Sequence, residues 1–103
     1  MADHVADVKK YVPNVNEAAV TSIVKYCGIA LRNRDSSMVS CSDQKELDTV
    51  RDGFAKKKLE LTPEAASAGI KAVCEKMKGD NSKSRVTFYY LLAQETGTMG
   101  KLA

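Results

Sequence analysis

The chain has 103 residues, 44% of them hydrophobic and 28% charged, with a formal net charge of +3 and a sequence pI near 8.8. That length bounds it to one domain with one modest core, and the composition excludes a disordered chain. No apolar run is long enough to span a bilayer, MADHVADVKK has no apolar signal core, and no third of the chain is strongly basic, so the expectation is a cytoplasmic protein with no membrane partner and no electropositive lobe.

Five helices are expected, in chain order. The first runs from Asp3 to Val12, with Val5, Val8, Tyr11 and Val12 at helical spacing and Pro13 ending it. Asn16 caps the second, and Glu17 stands in the positive field of its first turn. Val20, Ile23, Val24, Cys27, Ala30 and Leu31 make a stripe broad enough for a central helix, and Arg32 and Arg34 suit its C-terminal end. The polar loop NRDSSMVSCS follows, with Met38 and Val39 expected to pin it to the core. Ser42 or Asp43 caps the third helix, and Asp43 with Glu46 has capping-box spacing. Leu47, Val50, Phe54 and Leu61 define its buried face.

The fourth helix starts at LTPEAA, with Thr62 as cap and Pro63 at the first helical position. Ala66, Ile70, Val73 and Met77 form its stripe, and Gly79 supplies the stop. The fifth segment, KSRVTFYYLLAQE, could alternate as a strand, Val86, Phe88, Tyr90 and Leu92 against Thr87, Tyr89, Leu91 and Ala93. Both faces would then be largely apolar, with no second strand to pair with. A helix capped by Ser82 or Ser84 and stopped at Gly97 fits better, and one apolar around most of its circumference belongs in the middle of a fold. Phe88, Tyr90, Leu91 and Leu92 are expected inside, Lys83 and Arg85 at the wet end, and the tyrosines either bonded internally or facing another molecule. Gly28, Gly53 and Gly69 interrupt helices, and Gly28, beside Val24, Cys27 and Leu31, is read as a close-packing site.

Chemistry-bearing groups are sparse. His4 is the only histidine, close to the terminus, so Cys–His or Ser–His catalysis would have to run through it. The odd number and wide spacing of Cys27, Cys41 and Cys74 argue against a disulfide framework. Cys27 and Cys74 are read as core packing. Cys41, just before a helix, is the candidate for thiol reactivity, weighed against an inert semi-exposed thiol because Asp43, Glu46 and Asp48 oppose a thiolate. The helix-three carboxylates alternate with Lys45 and Arg51 and are read as a solvated face. Lys56, Lys57, Lys58, Lys83 and Arg85 would form one basic patch if helix three ended near the start of helix five. A helix-turn-helix is disfavoured because VTFYYLLA lacks polar side chains to read bases.

DSSMVSCSDQKELDTVRDGFAKKKLEL, followed by AVCEKM and RVTFYYLL, resembles a bacterial family catalogued as domain of unknown function 2853. The resemblance runs from the second helix to near residue 95 and rests on the V-S-x-S-D loop, the KKLEL pattern and the aromatic run. It implies a whole family member rather than a fragment. It implies no activity, substrate or cofactor, and it leads to glycine at position 60, where this chain has Glu60.

The expected protein is therefore a single all-α domain over residues 1–103, a compact bundle of four or five short helices with the second and fifth central. Residues 1–13 are expected to sit loosely on it and residues 97–103 to form a tail. The leading expectation is a non-enzymatic protein-interaction or regulatory module without cofactor, catalytic residues or metal. Its candidate surface comprises Met38, Ser40, Cys41, Asp43, Lys56, Lys57, Lys58, Lys83 and Arg85. The alternative is weak nucleic-acid binding through the basic patch, and an enzyme comes third. Monomer and homodimer are both open.

Overall fold

A computed structural model describes residues 4–27, 39, 41–78 and 84–101. The described elements are helical: α1 (His4–Val8), α2 (Glu17–Cys27), α3 (Gln44–Val50), a π-helical segment (Arg51–Lys58), α4 (Pro63–Lys76), α5 (Arg85–Glu95) and a short 3-10 turn (Met99–Lys101). The all-α expectation is met. The stretch of the second helix beyond Cys27, including Gly28, Ala30 and Leu31, lies outside the described residues, as do Asp3, Gly79 and Ser82.

α5 is the centre of the fold. Arg85 through Ala93 are nine consecutive buried residues, and α1, α2 and α4 all pack on this helix. A helix with no polar face can be stable only in such a position, because each side must find apolar cover. α2 is one-sided by comparison. Ala19, Val20 and Ile23 turn inward, whereas Glu17, Ala18, Thr21 and Lys25 face solvent. α1, expected at the edge of the domain, still sends Val8 into the core, followed by Val12 just beyond its end, and the Asp7 carboxylate accepts from the Thr87 hydroxyl.

The helix ends follow the sequence at Asn16, Thr62, Asp43 and Gly97, whereas Ser84, at the N-cap of α5, makes no side-chain capping hydrogen bond. Asn16 Oδ1 accepts from the Ala19 amide at 3.2 Å, and Thr62 Oγ1 from the Ala65 amide at 3.2 Å, with Pro63 in the first turn. Asp43 Oδ1 accepts from the Lys45 amide at 3.0 Å. At the end of α5, Gly97 is left-handed (φ 70°), the Thr98 amide donates to Ala93 at 2.8 Å and the Gly97 amide to Gln94 at 3.3 Å. This is the Schellman closure that the glycine was expected to supply.

The third helix departs from expectation. Its first two turns are α, but from Arg51 the backbone widens, and the Leu59 amide bonds to the Phe54 carbonyl five residues back. The buried positions become Val50, Phe54, Ala55 and Leu59, while Leu61, expected on the buried face, is half-buried. Glu60 then adopts φ 56° and the Leu61 amide closes onto Ala55 at 2.9 Å. Glu60 thus occupies the left-handed position after the helix, which favours glycine, the residue that the family resemblance leads one to expect.

Of the two helical glycines among the described residues, Gly53 and Gly69, close packing belongs to Gly69. A Cβ there would meet Thr96 Cγ2 at 2.6 Å and Leu92 Cδ1 at 2.8 Å, whereas at Gly53 the nearest atom is the Tyr26 hydroxyl at 4.0 Å. Gly69 lets α4 lie tightly on α5, and the Lys76–Glu95 ion pair, 3.0 Å, ties the same two helices at the surface.

Candidate functional site

The aromatic run of α5 is turned inward, and its polar atoms are answered inside the protein. Tyr90 Oη accepts from the Asn16 amide at 2.8 Å, joining α5 to the start of α2. Tyr89 Oη accepts from Arg85 Nη1 at 2.8 Å. The Tyr89 ring stacks on Phe54 of the π segment, with centroids 4.0 Å apart and planes 11° from parallel, and Tyr26 meets Phe54 edge-on at 5.3 Å. Tyr26 is the large hydrophobic side chain that emerges from this cluster, 42% exposed. The two tyrosines expected as alternatives for an intermolecular contact, Tyr89 and Tyr90, are both buried.

Arg85 corrects the expectation of a wet cation at the start of α5. Its side chain is only 10% exposed, and its guanidinium lies 5.7 Å over the Tyr89 ring and bonds to Glu46 of α3. Burial acts to lower the Arg85 pKa, but Tyr89 and Glu46 together outweigh it, and the net shift is upward. Glu46 is thereby diverted from the capping box that its spacing with Asp43 suggested. The basic patch loses its fifth member for the same reason: an arginine paired inside the fold is not available to an outside phosphate.

The remaining surface candidates separate. Lys56 and Lys57 are exposed and Lys58 is half-buried at the end of the π segment. Asp43 is exposed at the start of α3, and Cys41 is half-buried just before it. Met38, Ser40 and Lys83 lie outside the described residues.

Cys41 brings the largest correction. It is bonded to Cys74 of α4 as a disulfide, with Cα atoms 5.8 Å apart and 33 residues of sequence separation. Neither the odd cysteine count nor the spacing signals this pair, because the two meet only once α4 has packed on the π segment that follows α3. Cys74 is accordingly not a core thiol, and Cys41 is not a free one.

The disulfide forms part of the wall of a cleft of about 310 Å³ between α3 and α4. Leu47 and Ile70 provide its apolar walls, while Gln44, Asp48, Arg51, Ser67 and Lys71 supply polar groups. Arg51 is held on the α3 side: Nε donates to Asp52 Oδ1 at 2.9 Å, and Nη1 stands 3.4 Å from Asp48. The hydrogen bond from Arg51 holds the Asp52 carboxyl below the usual carboxylate range, and the same bond raises the Arg51 pKa. A mixed-charge rim around apolar walls suits a polar molecule with an apolar group to insert. Among the described residues no cluster of three or more His, Cys, Asp or Glu could hold a metal ion, and no helix is long and apolar enough to cross a membrane.

Of the surface residues expected from sequence, Cys41 lines this cleft, and Ser67, Ile70, Lys71 and Cys74 on its α4 side were not among them. On α4 these four recur at intervals of three, one and three residues, a helical stripe whose polar members gave no reason to single it out.

The family model described as "Protein of unknown function (DUF2853)" matches residues 3–100. No curated protein matches the chain. The chain belongs to the DUF2853 family.

Proposed function

We propose that this protein is a small non-enzymatic interaction or regulatory module whose partner docks at the α3–α4 cleft. The supporting observation is the cleft itself, whose apolar walls, Leu47 and Ile70, stand within a rim carrying both charge signs. Its volume of about 310 Å³ suits one or two side chains of a protein partner. A rim of mixed sign selects a polar peptide surface over a polyanion. A bacterial, cytoplasmic setting is part of the proposal.

Ser67 provides the test. It is exposed on α4 and lines the cleft, so Ser67→Arg fills the mouth without entering the core. In affinity capture from the native cell, a protein retained by the wild type is expected to be lost with Ser67→Arg and kept when Lys56, Lys57 and Lys58 are replaced by glutamate. Equal retention by wild type and Ser67→Arg rules the cleft out as the docking site.

The second reading, weak nucleic-acid binding, draws its support from the exposure of Lys56 and Lys57. Consecutive residues on a helix point in different directions, and Lys58 is half-buried, so the three lysines do not track one groove. Salt-dependent binding of duplex or single strand, abolished by the lysine substitutions, would favour this reading. Absence of a shift at low salt would exclude it.

A further inference from the structure

We propose that Cys41–Cys74 is a reversible thiol–disulfide exchange site for low-molecular-weight thiols, and that its reduction frees α4 from the segment leading into α3. This chemistry needs the cleft only as an approach route and does not depend on what protein docks there.

Three observations carry it. Both sulfurs belong to half-buried residues that line an open cleft, so an attacking thiol has a path to them in the folded state. The bond is the covalent tie across a gap: α4 packs on the π segment and on α5, while the cleft separates it from α3. Its loss therefore leaves the main helix contacts standing. Finally, the two sulfurs differ in surroundings. Lys71 stands one turn before Cys74 on α4 and lines the same cleft, whereas Asp43 follows Cys41 by two residues. A departing thiolate is stabilised beside an ammonium and opposed beside a carboxylate.

The exchange then has a direction. A small thiolate attacks the Cys41 sulfur, forming a mixed disulfide there, while the S–S bond breaks and Cys74 leaves as thiolate. A second small thiolate attacks the sulfur of the first, releasing the small-molecule disulfide and the Cys41 thiolate. Both protein thiolates take up the protons given up by the two attacking thiols. In sum the protein gains two electrons and two protons, and two thiols are oxidised to one disulfide; oxidised small-molecule disulfide runs the sequence backwards.

Glutathione is a suitable probe. The oxidised full-length protein is placed in buffers of reduced and oxidised glutathione without denaturant, quenched with acid, alkylated and mapped by peptide mass spectrometry. The expected result is reversible loss of the Cys41–Cys74 linked peptide, with unchanged helical circular dichroism and a transient glutathione adduct on Cys41. Lys71→Gln, at an exposed position, is expected to slow reduction up to about fivefold, the size of losing one nearby solvated charge interaction. A linked peptide that survives reduced glutathione in the native state and disappears only when urea unfolds the chain would overturn the proposal, as would reduction accompanied by loss of helix. An adduct confined to Cys74 would overturn the assigned direction.

Discussion

Arg85 shows how much a single residue's environment depends on what folds over it. At the start of an isolated helix it would be solvated, but here Glu46 and the Tyr89 ring enclose it. Removing one partner of such a pair leaves a charge poorly hydrated. Glu46→Gln is expected to cost about 1–3 kcal/mol in urea unfolding, and much less once Arg85 is also replaced by methionine. A double-mutant cycle reads the difference. Glu60 makes the opposite case. Its left-handed backbone costs about 1–2 kcal/mol for a residue with a Cβ, against about 0.5–1 kcal/mol for the extra chain entropy of glycine. Glu60→Gly should therefore stabilise the protein by roughly 0.5–1 kcal/mol, whereas Glu60→Ala, which keeps the Cβ, should bring no such gain. The sequence exposed the oddity of Glu60 through the family resemblance, but nothing local signalled that Glu46 would leave its helix cap for an arginine 39 residues away.

At the scale of elements, legibility followed local chemistry. α4 and α5 were readable because Thr62, Pro63 and Gly97 each act through the backbone next to them, and because nine apolar or enclosed positions in a row admit only a central helix. The π segment was not readable with an α period of 3.6 in hand. The buried residues from the end of α3 through this segment to its C-cap, Val50, Phe54, Ala55 and Leu59, follow a wider repeat, and Ala55 is too small to weigh in a hydrophobic pattern. The widening has a consequence for packing, since it is Phe54 of this segment that stacks on Tyr89. Where two helices approach closely, small size matters more than polarity. Gly69→Ala should gain about 1 kcal/mol in helix propensity but lose about 1–3 kcal/mol from the contacts with Leu92 and Thr96. A net loss near 1 kcal/mol, with an unchanged urea m-value, is the expected outcome.

For the whole molecule, the disulfide is the feature no local pattern could supply. Two cysteines 33 residues apart become partners only once α3, the π segment and α4 have assembled. Closing a loop of that length constrains the unfolded chain, and by chain-entropy reasoning the oxidised protein should be more stable than the reduced one by about 3–4 kcal/mol. Urea titrations with and without reductant measure the gap. Of the surface read from sequence, Cys41 lines the cleft, whose other wall comes from α4 and is brought there only by the same assembly. Arg85, chosen for its charge, proved to be structural.

The protein combines a core centred on α5 with a cleft closed on one side by the disulfide. Amide hydrogen exchange on the oxidised and reduced full-length protein tests this arrangement most directly. The slowest exchange is expected across residues 86–93 in both forms, with faster exchange on reduction confined to residues 41–50 and 67–74. If α5 exchanged early, or if reduction accelerated exchange evenly along the chain, the division into a fixed core and a releasable cleft would be wrong.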